Sequence, residues 1–300
     1  MTEPGAVDWR EGLRAIRECK LGKPMRFKRL FLKVKDKETG EVVPYVPTEN
    51  QQGMYDGTFG RFNVLKEGFD VALYKARKAQ STTEWTSDDF ALQCVNENVA
   101  ALHSTDSDDT TKSVLDMWDT FYNNMPEVLF VAPAGVLGKE EVVFTRPRKG
   151  LWNTEQRGFV FGDESIDKGE VVFSQRSAST TYFSSFKSTN FSRSFTPLIV
   201  IRSEWAHAEK SDAPSFDQSV RGSRPPGRGC IIDESTGNGP DTMHFQAYKT
   251  ARAGQSNTIV LIFYWYQDST NRLSEESQHV IRADKGIFPL TQEEQEVRAL

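Results

Sequence analysis

The order of patterns along this chain predicts an α/β fold: a mainly parallel sheet flanked by helices, with a β-rich excursion and a small C-terminal segment. Three observations carry that prediction. From residue 69, apolar runs alternate with longer helical patterns: "FDVALY", "STTEWTSDDFALQCVNEN", "VAALHS", "DSDDTTKSVLDMWDTFYNNM". Strands that alternate with helices pair in parallel, because each connection crosses back over a face of the sheet. Later runs at 196–205 ("TPLIVIRSEW"), 230–234 ("CIIDE") and 258–266 ("TIVLIFYWY") are largely apolar, as buried strands are. The composition, 37% hydrophobic and 11% aromatic, supplies a real core.

Residues 1–45 read as a helical arm and a hairpin. Leu13, Ile16 and Cys19 fall at helical spacing among charges, and 26–45 alternates around the turn "KETGE". "PTENQQGMYD" (47–56) is a loop entering a helix. The strand at 69 leads to a helix opened by Ser81, Thr82 and Thr83, whose hydroxyls can cap its exposed N–H groups. The second helix begins with acidic residues, as its dipole prefers. In 127–190 the segments "EVVF", "RGFVFG" and "EVVFSQ" read as short strands of an excursion beside the sheet. The polar connection 206–229 has room for one helix, and 241–254 reads as another before the last strand. The tail from 269 is charged and weakly periodic, and no internal repeat is visible.

Composition also excludes classes. A net charge of −5 is unlike a dedicated, passive nucleic-acid binder, so any DNA contact is expected to be local, transient or made by an assembly. Cys19, Cys94 and Cys230 lie far apart, and the four histidines form no H-x-x-x-H, which predicts neither a disulfide framework nor structural zinc. A reducing, cytoplasmic setting follows. The N-terminus is polar, and the longest apolar run is about half of what a bilayer span requires, so no membrane association is expected.

Five short motifs point to phosphate chemistry. "LYKARKAQSTTEW" (73–85) places a strand, basic residues, hydroxyls and a helix in the order of a phosphate-binding loop. Such a loop needs inward N–H groups at a helix N-terminus, a cation for the phosphates and a hydroxyl for Mg²⁺. Lys75, Arg77 and Lys78 can supply the cation, and Ser81, Thr82 or Thr83 the hydroxyl. The stretch has no glycine, although a backbone wrapped round phosphate often needs positive φ. Two buried strands end in a carboxylate that could serve the Mg²⁺–water assembly: "LIVIRSE" at Glu204 and "CIIDE" at Glu234. The second has the Asp–Glu pair, whereas the first has Ser203 before its glutamate. "STGNG" (235–239) can bring Ser235, Thr236 and Asn238 near a γ-phosphate. A glutamine of "PTENQQ", Gln51 or Gln52, can read adenine as donor and acceptor. Arg193, in "FSRSF", can sit in a buried ion pair or reach a neighbouring subunit's phosphate. Singly these are a charged turn, polar strand ends, a tight turn and solvated side chains. Together they follow the order of a P-loop motor ATPase.

The stretches "LYKARKAQSTT", "FSRSFTPLIVIRSEWA", "IIDESTGNGPDTMHFQAYKTARAGQ" and "LIFYWYQDSTNRL" resemble the ATPase domain of tailed-bacteriophage large terminase subunits, over about residues 45–270. The resemblance implies a P-loop NTPase of the ASCE, RecA-like kind over 46–270, and a lid or linker at 271–300 leading to a nuclease domain beyond residue 300. It implies a DNA-packaging motor using ATP and Mg²⁺, with double-stranded DNA, a capsid portal and a small terminase subunit as partners, in the host cytoplasm. The motor would be a ring when assembled and a monomer in isolation. By position, Lys75 and Arg77 would hold phosphates, with Ser81 and Thr83 in the same loop. Thr82 and Ser203 would hold Mg²⁺, Gln51 would read adenine, and Ser235, Thr236 and Asn238 would couple hydrolysis to movement. Arg193 would act on the neighbouring subunit's nucleotide. "CIIDE" runs directly into the coupling motif, so the resemblance makes Glu204 the water-activating base. The family's loop glycine falls on Gln80, and Ser203 stands where an acidic metal holder is usual. DNA contacts are expected from Arg146, Arg148 and Lys149 and from Arg221, Arg224 and Arg228. The alternatives are a helicase or translocase working outside a capsid, and a degenerate scaffold that does not hydrolyse nucleotide.

Overall fold

Two strands buried along their whole length, β10 (Ile199–Ser203) and β11 (Gly229–Ser235), form the middle of the sheet. Their side chains alternate between two cores: Ile199 and Ile201 enter one, Val200 the other. That is the pattern of a parallel sheet covered on both faces. The computed structural model describes residues 9–36, 39–76, 79–125, 151–153, 158–161, 164–165, 170–173, 179–186, 196–208 and 211–264.

In chain order the elements are α1 (Trp9–Lys20), α2 (Met25–Phe31), β1 (Lys33–Lys35), β2 (Val42–Pro44), α3 (Glu49–Gly57), β3 (Gly68–Lys75), α4 (Ser81–Val95), β4 (Ala100–Thr105) and α5 (Asp108–Asn123). There follow β5 (Leu151–Asn153), β6 (Gly158–Phe161), β7 (Glu164–Ser165), β8 (Glu170–Phe173), β9 (Ser179–Ser185), β10, α6 (Ala213–Ser223), β11, α7 (Met243–Arg252) and β12 (Ile259–Phe263). The main sheet runs β12-β3-β11-β10-β4-β9-β8. Its strands pair in parallel except β8 with β9. β5, β6 and β7 form a small antiparallel sheet, whereas β8 and β9, the other described strands of the β-rich excursion, join the main sheet. β11 opens at Gly229, with φ +83°. A Cβ there would stand 2.3 Å from the Leu198 carbonyl oxygen, so only glycine lets the middle strands begin this close to the chain entering β10.

The α/β reading holds, with four corrections to its detail. The hairpin is shorter than 26–45: residues 25–31 form α2, which buries Met25, Phe27, Lys28 and Phe31, the spacing of a helix face. The hydroxyls at 81–83 do not cap α4; its N-cap is Gln80, with no side-chain cap bond. β9 is a parallel strand of the main sheet that the alternating pattern did not reveal. β12 is half-buried, because it lies at the sheet edge. The "EVVF" at 141–144 and the segment 271–300 lie outside the described residues. No described helix is long and apolar enough to cross a membrane, and the three cysteines are buried and free.

The parallel strands end at one level. Across the sheet Glu234 is in register with Ser203, Ser203 with Thr105, and Thr105 with Ser185. That polar row marks the carboxyl edge, where open α/β sheets bind ligands.

Candidate active site

The first turn of α4 sits at this edge and is left open. Helices α3, α5 and α7 have their N-termini capped by Thr48, Ser107 and Thr242. At α4 no side chain takes that role. The unpaired N–H groups of a first turn favour an anion. The Ser81 hydroxyl there is buried without a hydrogen-bond partner.

Gln80 answers the question of the missing glycine. It adopts φ 55°, ψ 22°, the left-handed conformation glycine would favour. For a non-glycine residue that costs about 1–2 kcal/mol. Gln51 braces it: its Nε2 donates to the Gln80 carbonyl at 3.3 Å, while its Oε1 accepts from the Thr48 N–H at 2.9 Å. Both ends of the Gln51 amide are thus engaged within the protein. Gln52 is bound on the surface to Arg29 and Asp56.

Lys75, the last residue of β3, lies between two carboxylates: Glu204 Oε1 at 3.2 Å and Glu234 Oε1 at 3.7 Å. Burial alone would lower the Lys75 pKa, but Glu234 and then Glu204 outweigh it and raise it above the ordinary lysine value. Burial alone would raise the Glu204 pKa. The Lys75 ammonium and hydrogen bonds from Thr236 hold it below the usual carboxylate value. Glu204 Oε2 accepts from the Ser235 hydroxyl at 3.3 Å and from the Thr236 N–H and hydroxyl at 3.2 Å each. Its backbone is left-handed, φ 60°, ψ 40°, a second strained position at this edge. Asn238 Nδ2 donates to the Ala206 carbonyl at 3.0 Å. Ser235, Thr236 and Asn238 therefore all grip the turn that carries Glu204.

The two glutamates differ in access. Glu204 is 26% exposed and lies at the mouth; Glu234 is 0% exposed and forms the floor. Glu234 Oε1 accepts from the Thr82 hydroxyl at 2.6 Å and the Ser203 hydroxyl at 2.7 Å. A water-activating base must reach solvent above the phosphates, which suits Glu204.

Beneath this layer the strands are pinned together. The buried Arg202 guanidinium donates to both oxygens of Asp233, at 2.5 and 2.7 Å, and to Asp217 at 2.7 Å, and it lies 3.9 Å from the Trp205 ring centre. Arg202 and Asp233 are register partners, one step below Ser203 and Glu234.

The fold thus brings together Lys75, Ser81, Thr82, Ser203, Glu204, Ser235, Thr236 and Asn238, with Gln51 behind the loop. Thr83 turns away and donates to Met117 of α5. Arg77, Arg146, Arg148, Lys149 and Arg193 lie outside the described residues. Arg221 and Arg224 pair with Asp70, near the start of β3 at the opposite edge of the sheet, and Arg221 also pairs with Asp217. Arg228 is exposed at that same edge. The Asp–Glu pair of "CIIDE" pointed to Asp233 as a site acid, but the structure pairs it with Arg202, to which the sequence gave no part; His207, 3.2 Å from the Thr236 hydroxyl, was not foreseen either. The signal for Arg202 was a charge inside an otherwise apolar strand.

No protein-family model matches the chain, and no curated protein matches it. Solved structures do match. The HK97 bacteriophage large terminase superposes with a TM-score of 0.54 at 9% identity, covering 88% of this chain and 51% of that one. The Thermus phage P74-26 large terminase ATPase domain gives a TM-score of 0.47 at 11% identity, covering 79% of this chain and 88% of that one. The large terminase of another thermophilic bacteriophage, in complex with ATP-gamma-S, gives 0.43 at 13% identity, covering 80% of this chain and 50% of that one. The chain spans about half the length of the HK97 protein and of this last one. It has the fold of the HK97 large terminase, a parallel sheet flanked by helices, in accord with the resemblance its motifs carry.

Proposed function

We propose that this chain is the ATP-hydrolysing motor domain of a viral large terminase, which drives double-stranded DNA into a capsid. The observation that carries the reading is the convergence of Lys75, Thr82, Ser203, Glu204 and Glu234 on the uncapped start of α4. Phosphoryl transfer needs positioning and charge neutralisation above all. Lys75 neutralises phosphate charge, a task Arg77 shares, and the first-turn N–H groups of α4 bind the phosphate oxygens. Glu204, held ionised, orients a water and takes its proton.

The site suits Mg²⁺. Its donors are hydroxyls and carboxylates, hard oxygen ligands, and Glu234 Oε2 is a buried carboxylate oxygen without a partner. Thr82 and Ser203 would hold the ion; when bound it neutralises charge on the triphosphate. For Gln51 to read adenine it would release Thr48 or Gln80. Arg193 acts in trans within a ring docked on a portal, together with a small terminase subunit, in the host cytoplasm. The hold of Ser235, Thr236 and Asn238 on the 204–206 turn gives hydrolysis a path to movement. DNA is held by Arg228, Arg146 and Arg148, since Asp70 and Asp217 already neutralise Arg221 and Arg224. An arginine in trans is worth about 10³–10⁵ in rate. Mg²⁺-dependent ATP turnover per subunit should therefore rise with protein concentration and vanish in Glu204→Ala. Fast, concentration-independent turnover would remove Arg193 from its role. Failure of ATP to bind or be hydrolysed at any concentration would overturn the reading.

A further inference from the structure

The cation site of the proposed ATPase has two hydroxyls, Thr82 and Ser203, and the last position of β10 is this serine rather than a carboxylate. The carboxylate closest to both hydroxyls comes from the next strand. Glu234 Oε1 stands 2.6 Å from Thr82 Oγ1 and 2.7 Å from Ser203 Oγ, so two hydroxyl protons converge on one oxygen. Ser203 and Glu234 are register partners in the parallel pair β10–β11, which puts that oxygen at the level an acidic residue 203 would occupy. Glu234 Oε2 has no partner although Glu234 is 0% exposed, and the Ser81 hydroxyl is likewise buried and orphaned. A buried carboxylate oxygen left unpaired is costly unless something of opposite charge completes it. Lys75 cannot do so alone, because it is shared with Glu204 and lies 3.7 Å from the other oxygen, Oε1.

We infer that Glu234 is the carboxylate that holds the divalent cation, directly or through a water, its acidic function having moved from the strand of the base to the neighbouring strand. This rests on the ATPase reading and divides the labour between the two glutamates. Glu204 at the mouth handles the water, and Glu234 on the floor fixes the cation beside Thr82. Ser203 keeps a supporting part, donating its hydroxyl to Glu234. Mg²⁺ sites built on one or two carboxylates plus phosphates need no more acid than this.

The test uses Mn²⁺ as probe, titrated in the presence of ADP and followed by electron paramagnetic resonance, with ADP affinity in EDTA measured alongside. Glu234→Gln should weaken Mn²⁺ binding at least about tenfold, about 1.4 kcal/mol or more, and leave ADP affinity in EDTA within about threefold of wild type. The double variant Ser203→Asp, Glu234→Gln should restore Mn²⁺ binding, because it returns the acid to β10. Glu234→Asp, which keeps the charge on a shorter arm, should fall between and serves as the working variant if the glutamine form does not fold. Unchanged Mn²⁺ affinity in Glu234→Gln, or an equal loss of ADP affinity in EDTA, would overturn the inference and leave the ATPase reading standing. Wild-type protein that binds neither ADP nor Mn²⁺–ADP would overturn both.

Discussion

Two lysine–dicarboxylate triads lie on opposite sides of the start of α4, and they are built differently. In the first, Lys28 Nζ is 2.5 Å from Glu84 Oε1 and 2.5 Å from Asp88 Oδ1, and all three side chains are 0% exposed. Tyr45 donates to the other oxygen of Glu84, and the ammonium lies over the rings of Tyr45 and Tyr55. In the second, Lys75 is 3.2 and 3.7 Å from Glu204 and Glu234, at an edge where backbone is strained at Gln80 and Glu204. Each joins one lysine to two acidic side chains. The sealed triad ties α2 and the residue after β2 to α4. The loose triad keeps its charges apart, which leaves them for a ligand.

Removing the lysine from each triad should have unequal consequences. Lys28→Met leaves two carboxylates buried without their cation, so it should cost about 3–5 kcal/mol in urea unfolding, or abolish folding. Lys75→Met should cost less, about 1–3 kcal/mol, because Glu204 can rehydrate and the buried Glu234 keeps two hydroxyl donors. It should nevertheless abolish stabilisation by ATP. Equal losses in the two variants would erase the distinction. Arg202→Lys, below the loose triad, keeps the charge but loses the two-pronged grip on Asp233 and the contact with Trp205. It should cost about 1–3 kcal/mol and slow turnover by misplacing Glu204.

The triads should also answer pH in opposite directions. Burial pushes the Asp88 pKa well above its ordinary value despite Lys28. Its protonated form is favoured by folding, so that stabilisation is complete below the unfolded-state pKa and is lost as pH rises through the folded one. Glu204 is held below its ordinary value, so its stabilisation is present above the unfolded-state pKa and is lost as pH falls through the folded one. Across the mildly acidic range, Asp88→Asn should flatten the decline of stability with rising pH, whereas Glu204→Gln should flatten the decline at the acid end. Urea midpoints as a function of pH check both. The smallest effect is expected at Gln80→Gly. Relief of left-handed strain, about 1–2 kcal/mol, is largely offset by the backbone entropy glycine loses, so the net change should stay within about 1 kcal/mol.

The sheet and its order of motifs were legible because buried parallel strands leave unbroken apolar runs, as in "CIIDE" and "LIVI". Lys75, Thr82 and Glu204 were legible because chemistry at a strand end needs charged or hydroxyl residues just past such a run. The sealed triad was not. Glu84 and Asp88 look like the solvent face of a helix, and only tertiary packing against α2 shows that they are buried. Strand β9 was hidden by its serines and threonines, which face other polar side chains such as Gln93 and Ser104. The Gln80 conformation was also hidden, because the bond that braces it comes from Gln51, on another helix.

The decisive measurement is phosphate release from Mg²⁺-ATP by the wild-type chain and by Glu204→Gln, with ATP affinity determined for both. If Glu204 is the base, turnover falls at least about a hundredfold while ATP affinity is kept, as removal of a general base produces. Turnover equal in the two proteins would contradict that role, and so would a wild-type chain that binds ATP without cleaving it at any protein concentration.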